Sequence, residues 1–195
     1  MRVIGGSARG RRLKAPRGLR TRPMADKIRE ALFSMLDSLG IRPQRVLDLY
    51  AGSGAIGIET LSRGARWVDF VDRSAAACAV IRDNLTATGF ADRGAVHCST
   101  VQAFLRRPPR EPYDFVIMDP PYADPTIHET MLAVARSPHV RDGTILVVGH
   151  SPRVPMPERL DGLEQLRDRC HGDSCVAIYV IRRGERAEAE DEGDP

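Results

Sequence analysis

Asp119-Pro120-Pro121-Tyr122 places three groups side by side that could act on a planar amine: a carboxylate, a rigid backbone carbonyl at Pro120 and an aromatic face. The segment follows Phe115-Val116-Ile117-Met118, an apolar run that reads as a buried strand. Neither proline can donate to a sheet ladder, so the strand must stop there. The four residues are therefore delivered to the carboxyl edge of a sheet, where open α/β sheets bind ligands. Two acceptors beside a flat ring suit a planar group bearing an NH2, such as the exocyclic amine of a nucleobase. Taken alone, a strand stop with an exposed tyrosine is the simpler reading, because Pro-Pro turns are common.

A second motif upstream shifts that balance. In Val46-Leu47-Asp48-Leu49-Tyr50-Ala51-Gly52-Ser53-Gly54-Ala55-Ile56-Gly57, an apolar strand runs into a tight glycine turn and then into a helix that Gly64 ends. Gly52-x-Gly54-x-x-Gly57 formally matches the dinucleotide fingerprint, with Asp72 at about the expected 20-residue offset. Asp48 argues against a dinucleotide, because a carboxylate before the glycines would repel a pyrophosphate held in the turn. A cationic ligand would be favoured instead. S-adenosylmethionine carries a sulfonium and an α-ammonium group and has no phosphate.

Together these motifs resemble those of class I S-adenosylmethionine-dependent amino-methyltransferases. The N-terminal part narrows the resemblance. It contains Ile4-Gly5-Gly6, Gly10-Arg11-Arg12-Leu13 and the run Arg22-Pro23-Met24-Ala25-Asp26-Lys27-Ile28-Arg29-Glu30-Ala31-Leu32-Phe33. With Gly172-Asp173-Ser174 before the last strand, the chain from about Arg2 to about Arg183 is similar to the bacterial 16S ribosomal RNA guanine-N2 methyltransferase family. The resemblance implies a Rossmann-like, mostly parallel seven-stranded sheet with an antiparallel C-terminal hairpin. It implies S-adenosylmethionine as cofactor, held by Asp48, Tyr50, Gly52, Gly54, Asp72, Arg73, Ser99 and Thr100. The family usually has an acid near Ser99 for the adenine amine, and here that acid is missing. The guanine amine would be held by Asp119 and the Pro120 carbonyl, with Pro121 beside it and Tyr122 stacked on the extruded base. No metal and no covalent nucleophile is called for.

Those groups need elements to position them. An amphipathic helix is expected from Ala25 to Leu39, with Ile28, Leu32, Met35, Leu36 and Leu39 on one face. Strands are expected near 45–50, 67–72, 94–98, 114–119 and 143–149, with helices near 55–63, 74–88, 100–106 and 126–136. This alternation gives a parallel sheet with right-handed crossovers. Residues 163–170 and 175–182 leave no room for a helix between them and must form a hairpin. One domain, 1–184, is expected: a basic arm over 1–22, a helix over 23–40, then the sheet, with 185–195 as an acidic disordered tail.

Composition agrees with one globular domain: 195 residues, 42% apolar, and no run of about 18 apolar residues that would span a membrane. The basic N-terminus lacks the apolar stretch of a secretory signal. Cys78 and Cys98 read as small buried residues, Cys170-His171-x-x-x-Cys175 is a poor zinc match, and all four thiols are expected to be reduced, in the cytoplasm. The net charge of +3 conceals an asymmetry. Arg9, Arg11, Arg12, Lys14, Arg17, Arg20 and Arg22 precede the sheet with almost no opposing acid, as expected of an arm that tracks RNA phosphates. The partner expected is 16S rRNA or a small-subunit assembly intermediate, met by a monomer. A DNA adenine-N6 methyltransferase shares the Asp-Pro-Pro-Tyr logic but usually adds a recognition domain for which this chain has no room. A release-factor glutamine methyltransferase favours Asn where Asp119 stands. A dehydrogenase leaves Asp119 to Tyr122 unexplained, and an inactive RNA-binding module leaves the intact motifs unexplained.

Overall fold

Val46–Leu49, Phe115–Met118 and Leu146–Val148 are buried on both faces, so they can pair only in the middle of a sheet covered by helices on each side. The computed structural model describes residues 1–16, 26–121 and 125–183. Along them run α1 (Asp26–Ser38), β1 (Arg45–Leu49), α2 (Ala55–Ser62), β2 (Trp67–Asp72), α3 (Ala75–Thr88), β3 (Gly94–Cys98) and α4 (Val101–Leu105). Then follow β4 (Tyr113–Met118), α5 (Ile127–Arg136), β5 (Val140–His150), β6 (Arg159–Leu160), β7 (Leu163–His171) and β8 (Ser174–Ile181).

The sheet order is β3-β2-β1-β4-β5-β8-β7-β6. The first five strands are parallel, and β8 enters antiparallel between β5 and β7. The expected seven strands are present. A two-residue eighth, β6, pairs with β7 through a tight turn at Asp161 (φ 34°) and Gly162 (φ 81°). A strand that short carries no periodicity, and Asp-Gly was its only sequence signal.

Alternate residues of each strand sort into two cores. On one face Val46, Phe70, Phe115 and Ile178 pack with Ile28, Leu32 and Leu36 of α1, Ile58 of α2 and Ile81 of α3. On the other, Leu47, Leu49, Val71 and Val116 meet Phe104 of α4 and Met131 and Val134 of α5. α1 buries the predicted Ile28, Leu32, Met35 and Leu36, and also Arg29, whose Nη2 donates to the Arg2 carbonyl at 2.7 Å and to Asp26 at 2.9 Å.

The arm folds as a hairpin around Val3 and Leu13, with Val3 N–H donating to the Arg11 carbonyl at 3.0 Å and an Arg2–Arg12 bridge. It is not loose, however. Val3, Ala8 and Leu13 join the main core. At Gly6 (φ 74°) a Cβ would lie 1.9 Å from the Ser62 carbonyl, a close approach only glycine permits. Residues 17–25, among them Arg17, Arg20 and Arg22, lie outside the described residues, as do Tyr122 and the acidic tail 185–195.

Two cysteine expectations are corrected. Antiparallel β7 and β8 place Cys170 directly opposite Cys175, and their sulfurs are joined as a disulfide. Cys98 is exposed, because β3 is the outermost parallel strand; Cys78 is buried as expected.

Candidate active site

Register alone assembles the site. Leu49 pairs with Val71 on one side and Met118 on the other, so the next row holds Tyr50, Asp72 and Asp119. The Asp119 N–H reaches back to the Leu49 carbonyl at 3.5 Å. Asp119 is half-buried, Pro120 buried and Pro121 exposed, so the chain leaves the sheet edge abruptly at the prolines.

At Tyr50 the backbone enters the left-handed region (φ 57°), unusual for a side chain of that size and a mark of local strain. It begins the glycine turn, with Gly52 at φ 56° and Gly54 at φ 75°. Asp72 holds the turn in place: its Oδ2 accepts from Gly52 N–H at 2.8 Å and its Oδ1 from Ser74 N–H at 2.8 Å. Ser74 Oγ accepts from Ala77 N–H at 3.3 Å, so the N-cap of α3 belongs to Ser74. Each Asp72 oxygen keeps a further lone pair for a ligand.

Asp48 lies beneath the turn rather than in it. It is buried, and its Oδ2 accepts from Gly57 N–H at 3.0 Å in the first turn of α2. A Cβ on Gly57 would stand 2.4 Å from Phe70 Cε1 and 2.8 Å from that carboxylate, which is why the third glycine is there. Burial pushes the Asp48 carboxyl up to about 8. The Gly57 N–H opposes this, and the charges of Asp119 and Asp72 add to it. Three acids thus share one sheet edge, and the innermost is held as a neutral acid at pH 7.

Ser99 and Thr100 come to the same edge beside Asp72. Ser99 N–H donates to the Asp72 carbonyl at 3.0 Å, and Ser99 Oγ donates to the Thr100 carbonyl at 3.1 Å. Thr100 Oγ1 accepts from Ala103 N–H at 3.2 Å and so caps α4. Arg73 is exposed next to Asp72. Among the described residues no cluster of three His, Cys, Asp or Glu side chains could hold a metal.

Arg9, Arg11, Arg12 and Lys14 project into solvent from the arm. Lys14 does have an acidic partner, contrary to expectation: its Nζ lies 2.8 Å from Asp83 on α3. Both groups are exposed, so the pair contributes little. Arg11 Nη1 donates to the Ala87 carbonyl at 3.4 Å.

Two residues that hold the arm escaped the sequence reading. Glu59 of α2, fully buried, accepts from Ile4 and Gly5 N–H, both at 2.7 Å, and from Arg63 Nε at 2.9 Å. Asn84 of α3 is buried as well and bonds the backbone of Lys14. A signal existed for Asn84: it falls on the helix stripe carrying Ala77, Cys78, Ile81, Leu85 and Thr88.

Strand order, glycine turn and edge acids together define the class I methyltransferase fold. A model of the family described as "Conserved hypothetical protein 95" matches residues 1–180, and the chain belongs to that family. The "Ribosomal RNA small subunit methyltransferase D" of Escherichia coli K12 is 30% identical over 194 residues, covering 100% of this chain and 93% of its own. A Bacillus subtilis protein, YlbH, provisionally described as an rRNA methyltransferase, is 34% identical over 184 residues, covering 93% of this chain and all of its own. The solved structure of an Escherichia coli protein, provisionally described as the methyltransferase yhhF, aligns with a TM-score of 0.80 at 30% identity, covering 93% of this chain and 98% of that one.

Proposed function

We propose that this chain methylates the exocyclic N2 amine of a guanine in 16S rRNA, using S-adenosylmethionine, during small-subunit maturation in the cytoplasm. The observation that supports this reading is the shared row of Asp119 and Asp72, with Asp72 tied to the glycine turn through Gly52 N–H. Relatives named as rRNA methyltransferases support the substrate class. No helix among the described residues is long and apolar enough to cross a membrane.

The residues present fit the cofactor. Two glycines with left-handed backbone open the turn, Asp72 has lone pairs to spare for ribose hydroxyls, and Asp48 is a reserve of negative charge for an ammonium group. Ser99, or a backbone group near it, takes the place of the family's usual acid at the adenine. When bound, S-adenosylmethionine supplies an electrophilic methyl on a sulfonium. Asp119 and the Pro120 carbonyl accept the two N–H bonds of the amine and pull its nitrogen toward tetrahedral geometry. Positive charge then grows on that nitrogen, and Asp119 stabilises it. Tyr122, which lies outside the described residues, stacks on the extruded base at a scale of roughly 1–3 kcal/mol.

Labelled methyl transfer to naked rRNA, to an assembly intermediate and to the finished subunit, followed by nucleoside analysis, tests the reading. N2-methylguanosine is expected. N6-methyladenosine as the product would replace it with the adenine reading.

Two further outcomes follow. Asp72→Ala is expected to lose about 1.5–3 kcal/mol of cofactor affinity, the scale of hydrogen bonds to a charged acceptor. Ser99→Asp keeps or improves affinity, and calorimetry on both variants checks this. A large loss for Ser99→Asp would show an adenine pocket of another design. For the arm, Arg9→Ala, Arg11→Ala and Arg12→Ala combined are expected to lower the slope of log affinity against log salt by roughly 2–3, at about 0.7–0.9 per phosphate contact. Melting temperature stays constant, because these side chains are exposed and the arm is anchored through its backbone. An unchanged slope with earlier melting would assign the arginines to the fold.

A further inference from the structure

Asn84 uses its whole amide on two segments that belong to different ligands. Its Oδ1 accepts from Lys14 N–H at 2.9 Å, and its Nδ2 donates to the Lys14 carbonyl at 3.0 Å and to the Ser53 carbonyl at 2.9 Å. Ser53 sits between the two glycines of the turn, and Lys14 is the last basic residue of the described part of the arm. The side chain is 1% exposed, so these bonds are shielded from water and from competition by it. Nothing about packing alone requires an amide here: the neighbours on the same stripe of α3 are Ile81, Leu85 and Thr88.

A second link runs in parallel through α2, which starts at Gly54 of the turn. Glu59 holds Ile4 and Gly5, while Ser62 Oγ donates to the Gly5 carbonyl at 2.5 Å and accepts from Ala8 N–H at 2.9 Å. These bonds fix the start of the arm to the helix. Among the described residues Ser53 Oγ also reaches Met1 Sδ, at 3.8 Å, but Asn84 is the side chain that bonds the backbone of both the turn and the arm. Any displacement of the Ser53 peptide would therefore be passed to the Lys14 peptide.

We propose that Asn84 is a positioning residue that sets the register of the RNA-binding arm against the cofactor turn, so that cofactor and RNA bind with reciprocal coupling. This rests on the reading that the arm holds rRNA phosphates and the turn holds S-adenosylmethionine. Coupling between two sites is a single free energy, so each ligand tightens the other by the same factor. Without Asn84 each ligand still meets its own contacts, and only the shared term is lost.

The test measures affinity for a 16S rRNA fragment with and without S-adenosylhomocysteine, and affinity for S-adenosylhomocysteine with and without the fragment. The native chain, Asn84→Ala, Asn84→Asp and Leu85→Val are compared. In the native chain both factors are expected to be equal and to lie within the about 5–150-fold range typical of coupled sites. In Asn84→Ala the factor falls to near one, while each ligand alone binds within about threefold. Asn84→Asp keeps the acceptor for Lys14 N–H but turns a carboxylate oxygen toward the Lys14 and Ser53 carbonyls, and it also loses the coupling. Leu85→Val destabilises the same helix without removing a hydrogen bond to turn or arm, and keeps the native factor. A native factor of one, an unchanged factor in the Asn84 variants, or an equal loss in Leu85→Val overturns the proposal. Failure of the native chain to methylate any RNA overturns the functional reading instead, a result that the coupling measurement does not mimic.

Discussion

Asp119→Ala is expected to lower turnover about 10²–10³-fold, the scale of removing one preorganised group that meets charge developing in a transition state. Affinity for S-adenosylmethionine should change by no more than a few-fold. The separation follows from geometry. Asp119 ends β4, whereas the turn is tied to Asp72 of β2 through the Gly52 N–H. Losing Asp119 removes the charge that would offset the cation growing on the amine, because a guanine N2 lone pair is delocalised and must be localised before it can attack. It leaves the cofactor's hydrogen-bond partners in place. It also removes one of the charges holding the Asp48 carboxyl high, which at neutral pH opposes any loss of cofactor affinity. Asp119→Asn separates charge from geometry, since it retains an acceptor oxygen of the same length. Single-turnover rates at saturating cofactor, with calorimetric affinities alongside, decide the matter. Native turnover in Asp119→Ala would remove the residue from the chemistry.

The fold was legible wherever a segment's pattern had to be satisfied locally. The apolar runs at 46–49 and 115–118 announce central strands because they lack alternation, and both sit between β-neighbours as expected. The row holding Tyr50, Asp72 and Asp119 was legible for the same reason: a parallel register delivers consecutive strand ends to one edge. What could not be read depends on contacts between distant segments. Glu59 looks like an ordinary helix residue until Ile4 and Gly5 arrive from 55 and 54 positions away. In the basic arm the charges are the feature visible in the sequence. Its attachment runs through backbone groups and through Val3, Ala8 and Leu13, which are sparse in that stretch. Asp48 was legible as an acid in the first strand ahead of the glycine turn, but its protonation state comes from burial and from two other acids.

That protonation state gives the second large effect. The folded chain holds the Asp48 proton up to about pH 8, whereas in the unfolded chain the carboxyl loses it near its ordinary value of 3.8. The folded state therefore binds the extra proton throughout that window, and this contribution to stability falls as pH rises through it and levels off above about 8. Asp48→Asn can still accept from Gly57 N–H and has no proton to lose. The cofactor-free variant is expected to melt later than the native chain at pH 8, and the difference should shrink toward pH 4. Cofactor binding runs the other way. A cationic ligand selects the ionised carboxylate, so binding below pH 8 must expel the proton. Native affinity is then expected to rise by up to about tenfold per pH unit from pH 6 to pH 8, roughly a hundredfold in all, and to level off above, since one unit corresponds to about 1.36 kcal/mol. The facing groups do not change this sign, because Asp72 and Asp119 both favour the protonated form of Asp48. In Asp48→Asn the profile should flatten, with affinity at pH 8 well below native and affinity at pH 6 close to it. Calorimetry in two buffers of different ionisation enthalpy counts the proton directly: close to one released per cofactor in the native chain near pH 7, and none from this site in the variant. A flat native profile with no proton release would show that the cofactor's ammonium group does not draw on Asp48, and that the acid serves only to hold the first turn of α2.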